Sequence, residues 1–220
     1  MPLISAAWRT PLMWGCAVAA AVFAVLAGTL GTGGSTSFDA WMFDELMAHV
    51  GNGAAATLLA FSTPALSVAV LALVAVFAAL LRRWDVAVLA ALGPGVTVLL
   101  TREVFKPLLG RELTVPWFSA TATGSFPSGH ESAVASAALV LALIACRLPV
   151  SRRVRAGCLA ALAVWTVVAA VGLVRNLYHY ATDTIGAICL AAAVVPATAL
   201  LIDSVTAAIQ RRARDQVLQN

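Results

Sequence analysis

Two histidines and an aspartate carry most of the chemistry open to this chain. His179 and Asp183 stand four apart in RNLYHYATD, Arg175 to Asp183, between two apolar runs. On a helical turn that spacing sets a carboxylate beside an imidazole. The carboxylate holds one ring nitrogen protonated and leaves the other as nucleophile or base. His130 follows Pro127, Ser128 and Gly129 at the head of another apolar stretch. Ser128 is a natural N-cap, and Ser128 to Glu131 reads as a capping box. The same helix start offers unpaired N–H groups and a positive dipole end to a phosphate. Gly129 lets a ligand approach the backbone closely, and His130 is placed to give a proton to a leaving oxygen.

A third polar stretch is TREVFKPLLGRE. Arg102 and Lys106 are four apart and share a helix face. Pro107 and Gly110 favour leaving the helix, and Arg111 follows. These cations read either as a cradle for an anion or as long side chains reaching the headgroups from a span's end. His179 and Asp183 likewise have a purely structural reading, as a capped pair at the interface. Glu131 reads first as the partner of Ser128 in the capping box and, as the alternative, as a charge that keeps His130 protonated for its role as an acid.

The elements that position these residues are set by composition. Of 220 residues, 61% are hydrophobic and 11% charged, and mean hydropathy is +0.93. A soluble domain is nearer a quarter charged. The apolar runs are continuous and Ala/Leu/Val-rich, which excludes the alternation of a β-barrel. The class is an all-α polytopic membrane bundle. Six spans are expected, at about 11–31, 57–81, 85–105, 130–147, 155–174 and 180–204, with a bend at Pro64. GTGGSTS reads as a flexible loop, and FDAWMFDELMAHVG as a short interfacial helix after the first span. His49 in that helix reads as interfacial or packed. A retained first span is expected rather than a cleaved signal. The whole chain, 1–220, reads as one membrane domain without internal repeats. The four cysteines lack metal-ligand spacing and read as small buried hydrophobes.

The net charge is +4, but the basic residues are spread over short loops, which argues against nucleic acid as a partner. Arg9, Arg82, Arg83, Arg147, Arg152, Arg153, Arg155, Arg211, Arg212 and Arg214 all fall on one side of the six spans. The positive-inside rule makes that side cytoplasmic. Arg102, Lys106, Arg111 and Arg175 remain for the outer side, with Asp39, Asp44 and Glu45. Cations placed against the topological bias point to a functional site.

PSGH, a later HxxxD and an upstream Lys-x-x-x-Gly-Arg together resemble the type-2 phosphatidic acid phosphatase family of lipid phosphatases. The resemblance extends from the acidic first loop through the sixth span. It implies that His179 attacks phosphorus to form a phosphohistidine, that Asp183 orients it and that His130 protonates the leaving group. It implies phosphate binding by Lys106, Arg111, Ser128 and Gly129, with no metal or other cofactor. The substrate would be a lipid phosphate or diphosphate in the bilayer, with a polyprenyl carrier lipid preferred.

The chain departs from the family pattern in two places. The Arg-Pro of KxxxxxxRP is replaced by Leu113 and Thr114, and the Ser-Arg of SRxxxxxHxxxD by Gly172 and Leu173. Arg111 and Arg175 lie two residues from the missing arginines, and Arg102 one turn before Lys106. These three are expected to supply the missing charge. The competing readings are a degenerate relative that only binds phospholipid, and a transporter or proton-relay protein.

Overall fold

Helix α1, Ala6–Leu30, opens the computed structural model, which describes residues 2–30, 33–115, 118–119 and 124–219. Gly31 and Thr32 of the expected flexible loop lie outside the described residues. Helix α2, Ser37–His49, forms where the short interfacial helix is expected. Phe38, Trp41 and Met47 are exposed on it. His49 is exposed too, with its Nδ1 2.9 Å from the Glu45 carbonyl.

The second span is two helices, α3 at Asn52–Ala60 and α4 at Pro64–Leu80. Pro64 has no N–H to continue a helix and instead begins one. The break frees the Phe61 carbonyl, which accepts from the Trp165 indole at 3.0 Å. Next come α5, Trp84–Leu99, a π-helical segment, Leu100–Phe105, and the single turn α6, Lys106–Leu109. Gly110 ends this run with φ of 61°, a conformation that costs glycine little. Thr114–Val115 (β1) and Phe118–Ser119 (β2) pair as a minimal antiparallel ladder, with Thr114 opposite Ser119. Helix α7, Gly129–Ala145, is followed by α8, Arg152–Arg175, and α9, Ala181–Gln219.

Among the described residues, five stretches are long and apolar enough to cross a membrane: Ala6–Leu30, Asn52–Leu80, Trp84–Leu109, Arg152–Arg175 and Ala181–Val217. The expected span at about 130–147 is α7, which has only 17 residues. It packs against α4, α5, α8 and α9, and its buried residues run unbroken from Glu131 to Ala138. A helix wrapped by other helices has little lipid to face. Its Ala and Ser residues let the neighbours approach closely. At Gly172 the approach of α8 to α3 is closer still, since a Cβ there would stand 2.6 Å from the Leu58 carbonyl carbon.

Two apolar clusters lie along the bundle. One joins Leu3, Ile4, Leu89, Val140 and Val195. Around it sit the N-terminal segment, Arg83 and Arg147, and Asp203, which pairs with Arg9 at 3.3 Å. The other cluster joins Phe23, Leu30, Phe126 and Leu190 and underlies the histidines. Cys146 and Cys158 are exposed, against the expectation of burial, and all four cysteines are free. In a bilayer an apolar side chain gains little by facing inward rather than toward lipid.

Candidate active site

The site is assembled where three chain segments meet at the Phe126 end of the bundle. After α6 the chain leaves at Gly110 and returns at Gly124, pressed against its own start. A Cβ at Gly124 would fall 2.9 Å from the Lys106 carbonyl oxygen. The Ser125 N–H closes the loop on the Arg111 carbonyl. Phe126 is fully buried and stacks on Phe23 with ring centroids 5.7 Å apart. Its ring lies so close to Gly186 that any Cβ there would clash, at 2.4 Å. This anchoring fixes where Pro127, Ser128 and Gly129 begin α7.

Ser128 caps α7 as the sequence predicts, its Oγ accepting from the Glu131 N–H at 3.2 Å. The reciprocal half of the capping box is not made. Both carboxylate oxygens of Glu131 are buried without a hydrogen-bond partner among the described residues. The expected capping duty of Glu131 is therefore limited to its backbone. A complete box stands elsewhere, between Thr36 and Asp39 at the start of α2.

Asp183 links the three segments. Its carbonyl accepts from the Ser128 N–H at 3.1 Å. Its Oδ1 accepts from Arg111 Nη1 at 2.6 Å, and its Oδ2 accepts from the Tyr180 N–H at 3.0 Å. His179 Nδ1 lies 3.7 Å from that same Oδ2, beyond hydrogen-bond length. The expected helical turn begins only at Ala181, so His179 precedes α9 rather than riding on it. The pair still meets. The His130 and His179 rings face each other with centroids 6.0 Å apart, and Tyr178 stands edge-on to His130 at 6.1 Å.

Arg102, Lys106, Arg111 and Arg175 divide into two kinds. Lys106 Nζ donates to the Gly124 carbonyl at 2.9 Å, and a Cβ at Gly129 would lie 4.0 Å from Lys106 Cε. Lys106 thus runs alongside the head of α7. Arg102 is exposed on the π-helical segment, a geometry that recurs at functional sites. Both lie within electrostatic reach of His130. Thr101 ties this segment to α7 through Ser132, oxygen to oxygen at 2.9 Å.

Arg111 and Arg175 are instead spent on the protein. Arg111 is fully buried. Its Nη1 donates to Asp183 and to Thr182 Oγ1 at 2.7 Å. Its Nη2 donates to the Gly34 carbonyl at 2.9 Å and to Asp39 Oδ2 at 2.8 Å. Its guanidinium lies 4.6 Å over the Tyr180 ring. Arg175 ends α8, with Nε donating to the Val50 carbonyl at 2.8 Å and Nη2 to Asn52 Oδ1 at 3.0 Å. Each of these two arginines holds one end of α2. The structure brings His130, His179, Asp183, Ser128, Gly129, Lys106 and Arg111 together and turns Arg175 toward the α2–α3 junction.

Asp39 and Thr182 belong to this network and were not singled out from the sequence. Asp39 Oδ1 accepts from the Thr182 N–H and hydroxyl, each at 2.9 Å. Burial alone would raise the Asp39 carboxyl, but the donors from Thr182 and Thr36 outweigh it and hold it below its ordinary value. The available signal was Thr36-x-x-Asp39, a capping pattern just before an amphipathic run. Among the described residues no group of three or more His, Cys, Asp or Glu is arranged to hold a metal.

The fold and site define a helical membrane protein with two facing histidines and a helix N-terminus at one end. Residues 94–206 match the model of the PAP2 superfamily, and the chain belongs to that family. It is a membrane phosphatase of the lipid-phosphatase class. The match starts at Pro94, so α1 to α4, including Asp39, lie outside it, where the sequence reading placed the resemblance from the first loop onward. The structure is similar to the crystal structure of the first transmembrane PAP2 type phosphatidylglycerolphosphate phosphatase from Bacillus subtilis. The TM-score is 0.70 at 17% identity, covering 89% of this chain and 98% of that one. No curated protein matches the chain.

Proposed function

We propose that this phosphatase removes phosphate from a lipid phosphate or diphosphate at the outer face of a cytoplasmic membrane. The observation that carries the reading is the facing pair of His130 and His179 at the head of α7. Both rings can reach one phosphoryl group seated there. With Nδ1 of His179 turned to Asp183, Nε2 attacks phosphorus and the bond to the lipid oxygen breaks. His130 gives its proton to that oxygen. Water then attacks the phosphohistidine, the P–N bond breaks, and His130 takes the proton of the water. No metal enters this cycle.

The anion is held by Lys106, by the Ser128 hydroxyl, and by the first N–H groups of α7, which a helix cannot satisfy itself. Arg102 adds charge from the π-helical segment. Arg111 acts on the site through Asp183, and Arg175 through α2. This reassigns the two arginines expected to stand in for the missing pair at the phosphate. A groove of about 500 Å³ between α4 and α5 ends at Arg102 and Glu103, and its apolar walls suit a lipid chain entering from the bilayer. The placing of this end outside rests on the arginine bias of the loops.

The substrate is taken as a polyprenyl phosphate, diphosphate or phosphoryl sugar phosphate. A second reading is phosphatidylglycerol phosphate or phosphatidic acid, the first of which is what the solved structure sharing this fold is named for. Phosphate release from purified protein, over a panel of prenyl and glycerol lipid phosphates, decides between them. A degenerate binding or transport protein would release no phosphate from any of them. A His179→Ala control must abolish release if the chemistry is as stated.

A further inference from the structure

We infer that Asp39, on α2 and outside the matched family region, is a positioning residue of the His179–Asp183 pair. This inference rests on the phosphohistidine reading above. Asp39 and Asp183 share one guanidinium. Arg111 Nη2 is bound by Asp39 Oδ2 at 2.8 Å, and Nη1 by Asp183 Oδ1 at 2.6 Å. All three side chains are shut off from solvent. Asp39 also takes the backbone N–H of Thr182, the residue directly before Asp183. The Asp183 carboxylate is thereby held from two sides by groups that Asp39 fixes.

The charge count gives this arrangement a direction. Two carboxylates and one guanidinium leave a net charge of −1 behind His179. When His179 attacks phosphorus its ring becomes cationic, and a fixed negative charge stabilises that state. Without Asp39 the cluster is neutral, and Arg111 bears on Asp183 alone. Among the described residues, Asp183 on α9 and His130 on α7 stand next to His179, Arg111 after α6 and Asp39 on α2 lie behind Asp183, and Lys106 on α6, Arg102 on the π-helical segment and the buried Glu131 on α7 lie about His130. Tyr178 and Tyr180 flank it in sequence. Of these, Asp39 alone belongs to an element outside the family match.

The position of α2 has a reason under this account. Its first turn is held by Arg111 through Asp39 and its C-cap, Val50, by Arg175. Its Phe38 and Trp41 are exposed, which suits the bilayer interface. The two arginines thus fasten α2 onto the nucleophile's support.

Two measurements on full-length detergent-solubilised protein test this. In Asp39→Asn, kcat falls about tenfold to a hundredfold with KM within about twofold, and the acid limb of kcat/KM moves to lower pH. NMR titration of labelled histidines, with His179 assigned by its loss in His179→Ala, shows the imidazole pKa of His179 lowered by the same substitution. Thr182→Val, a smaller change, shifts both in the same direction. Asp39→Glu restores the acid limb toward the wild-type position. An unmoved His179 titration in folded Asp39→Asn and Thr182→Val proteins overturns the inference, as does a loss of active fraction with an unshifted pH profile. The titration is read without turnover, so it stands apart from any failure of the catalytic reading, which His179→Ala reports.

Discussion

Two buried aspartates tie distant segments of this bundle together, and they do so to different ends. Asp203 sits on α9 far from the histidines. It accepts from the Leu3 N–H at 2.5 Å and the Ile4 N–H at 2.8 Å, and Arg9 reaches it at 3.3 Å. Its partners are backbone groups and one partly exposed arginine. Asp39 accepts from a fully buried arginine whose other arm holds Asp183. Both carboxylates staple the chain. On the proposed reading, only the second passes its position on to the reacting group, His179. The lesson is that burial and bond number do not separate a staple from a positioning residue, whereas the identity of the next residue along the network does.

The sharpest break in this comparison comes from the residues at the end of the Asp39 network. His179→Ala should reduce phosphate release to background, and His130→Ala should cut it by about 10² to 10⁴, with both proteins eluting as wild type in detergent. Arg111→Ala should be the most damaging change to the fold. It leaves two carboxylates buried without their cation and costs about 3–5 kcal/mol, seen as a large fall in thermal midpoint as well as lost activity. Asp203→Asn should cost about 1–3 kcal/mol of stability while kcat and the pH profile per folded enzyme stay at wild-type values. If Asp203→Asn moves the pH profile, the contrast between the two aspartates is wrong. Arg175→Gln should show the smallest effect, a modest loss in thermal midpoint and a kcat within about threefold of wild type. A rise in KM of about tenfold or more from Arg175→Gln, as loss of a direct charged phosphate contact would give, would return Arg175 to the phosphate.

The apolar runs were legible because a span needs some twenty apolar residues and composition alone supplies them. The break before Pro64 and the cap at Ser128 were legible because each is local backbone chemistry. The meeting of His130, His179 and Asp183 followed from the motifs. What escaped was the choice of partner. Arg111 and Arg175 look alike in sequence, two places from a missing arginine each, and nothing local says that one reaches Asp39 and the other Val50. Those contacts span 72 and 125 residues. Glu131 matched a capping box, but its carboxylate makes no reciprocal bond, while Thr36 and Asp39 made the complete box. The π-helical segment was equally hidden, since its 100–105 stretch is apolar and charged in a pattern that an α-helix would also satisfy.

The central claim is that His179 carries the phosphoryl group. Purified enzyme is mixed with a lipid phosphate labelled in its phosphorus and stopped in base, where phosphohistidine survives. The label is then located by peptide mass spectrometry. The account predicts label on the peptide containing His179, absent in His179→Ala and accumulated in His130→Ala. Label on an oxygen side chain, or full turnover by His179→Ala, would contradict it.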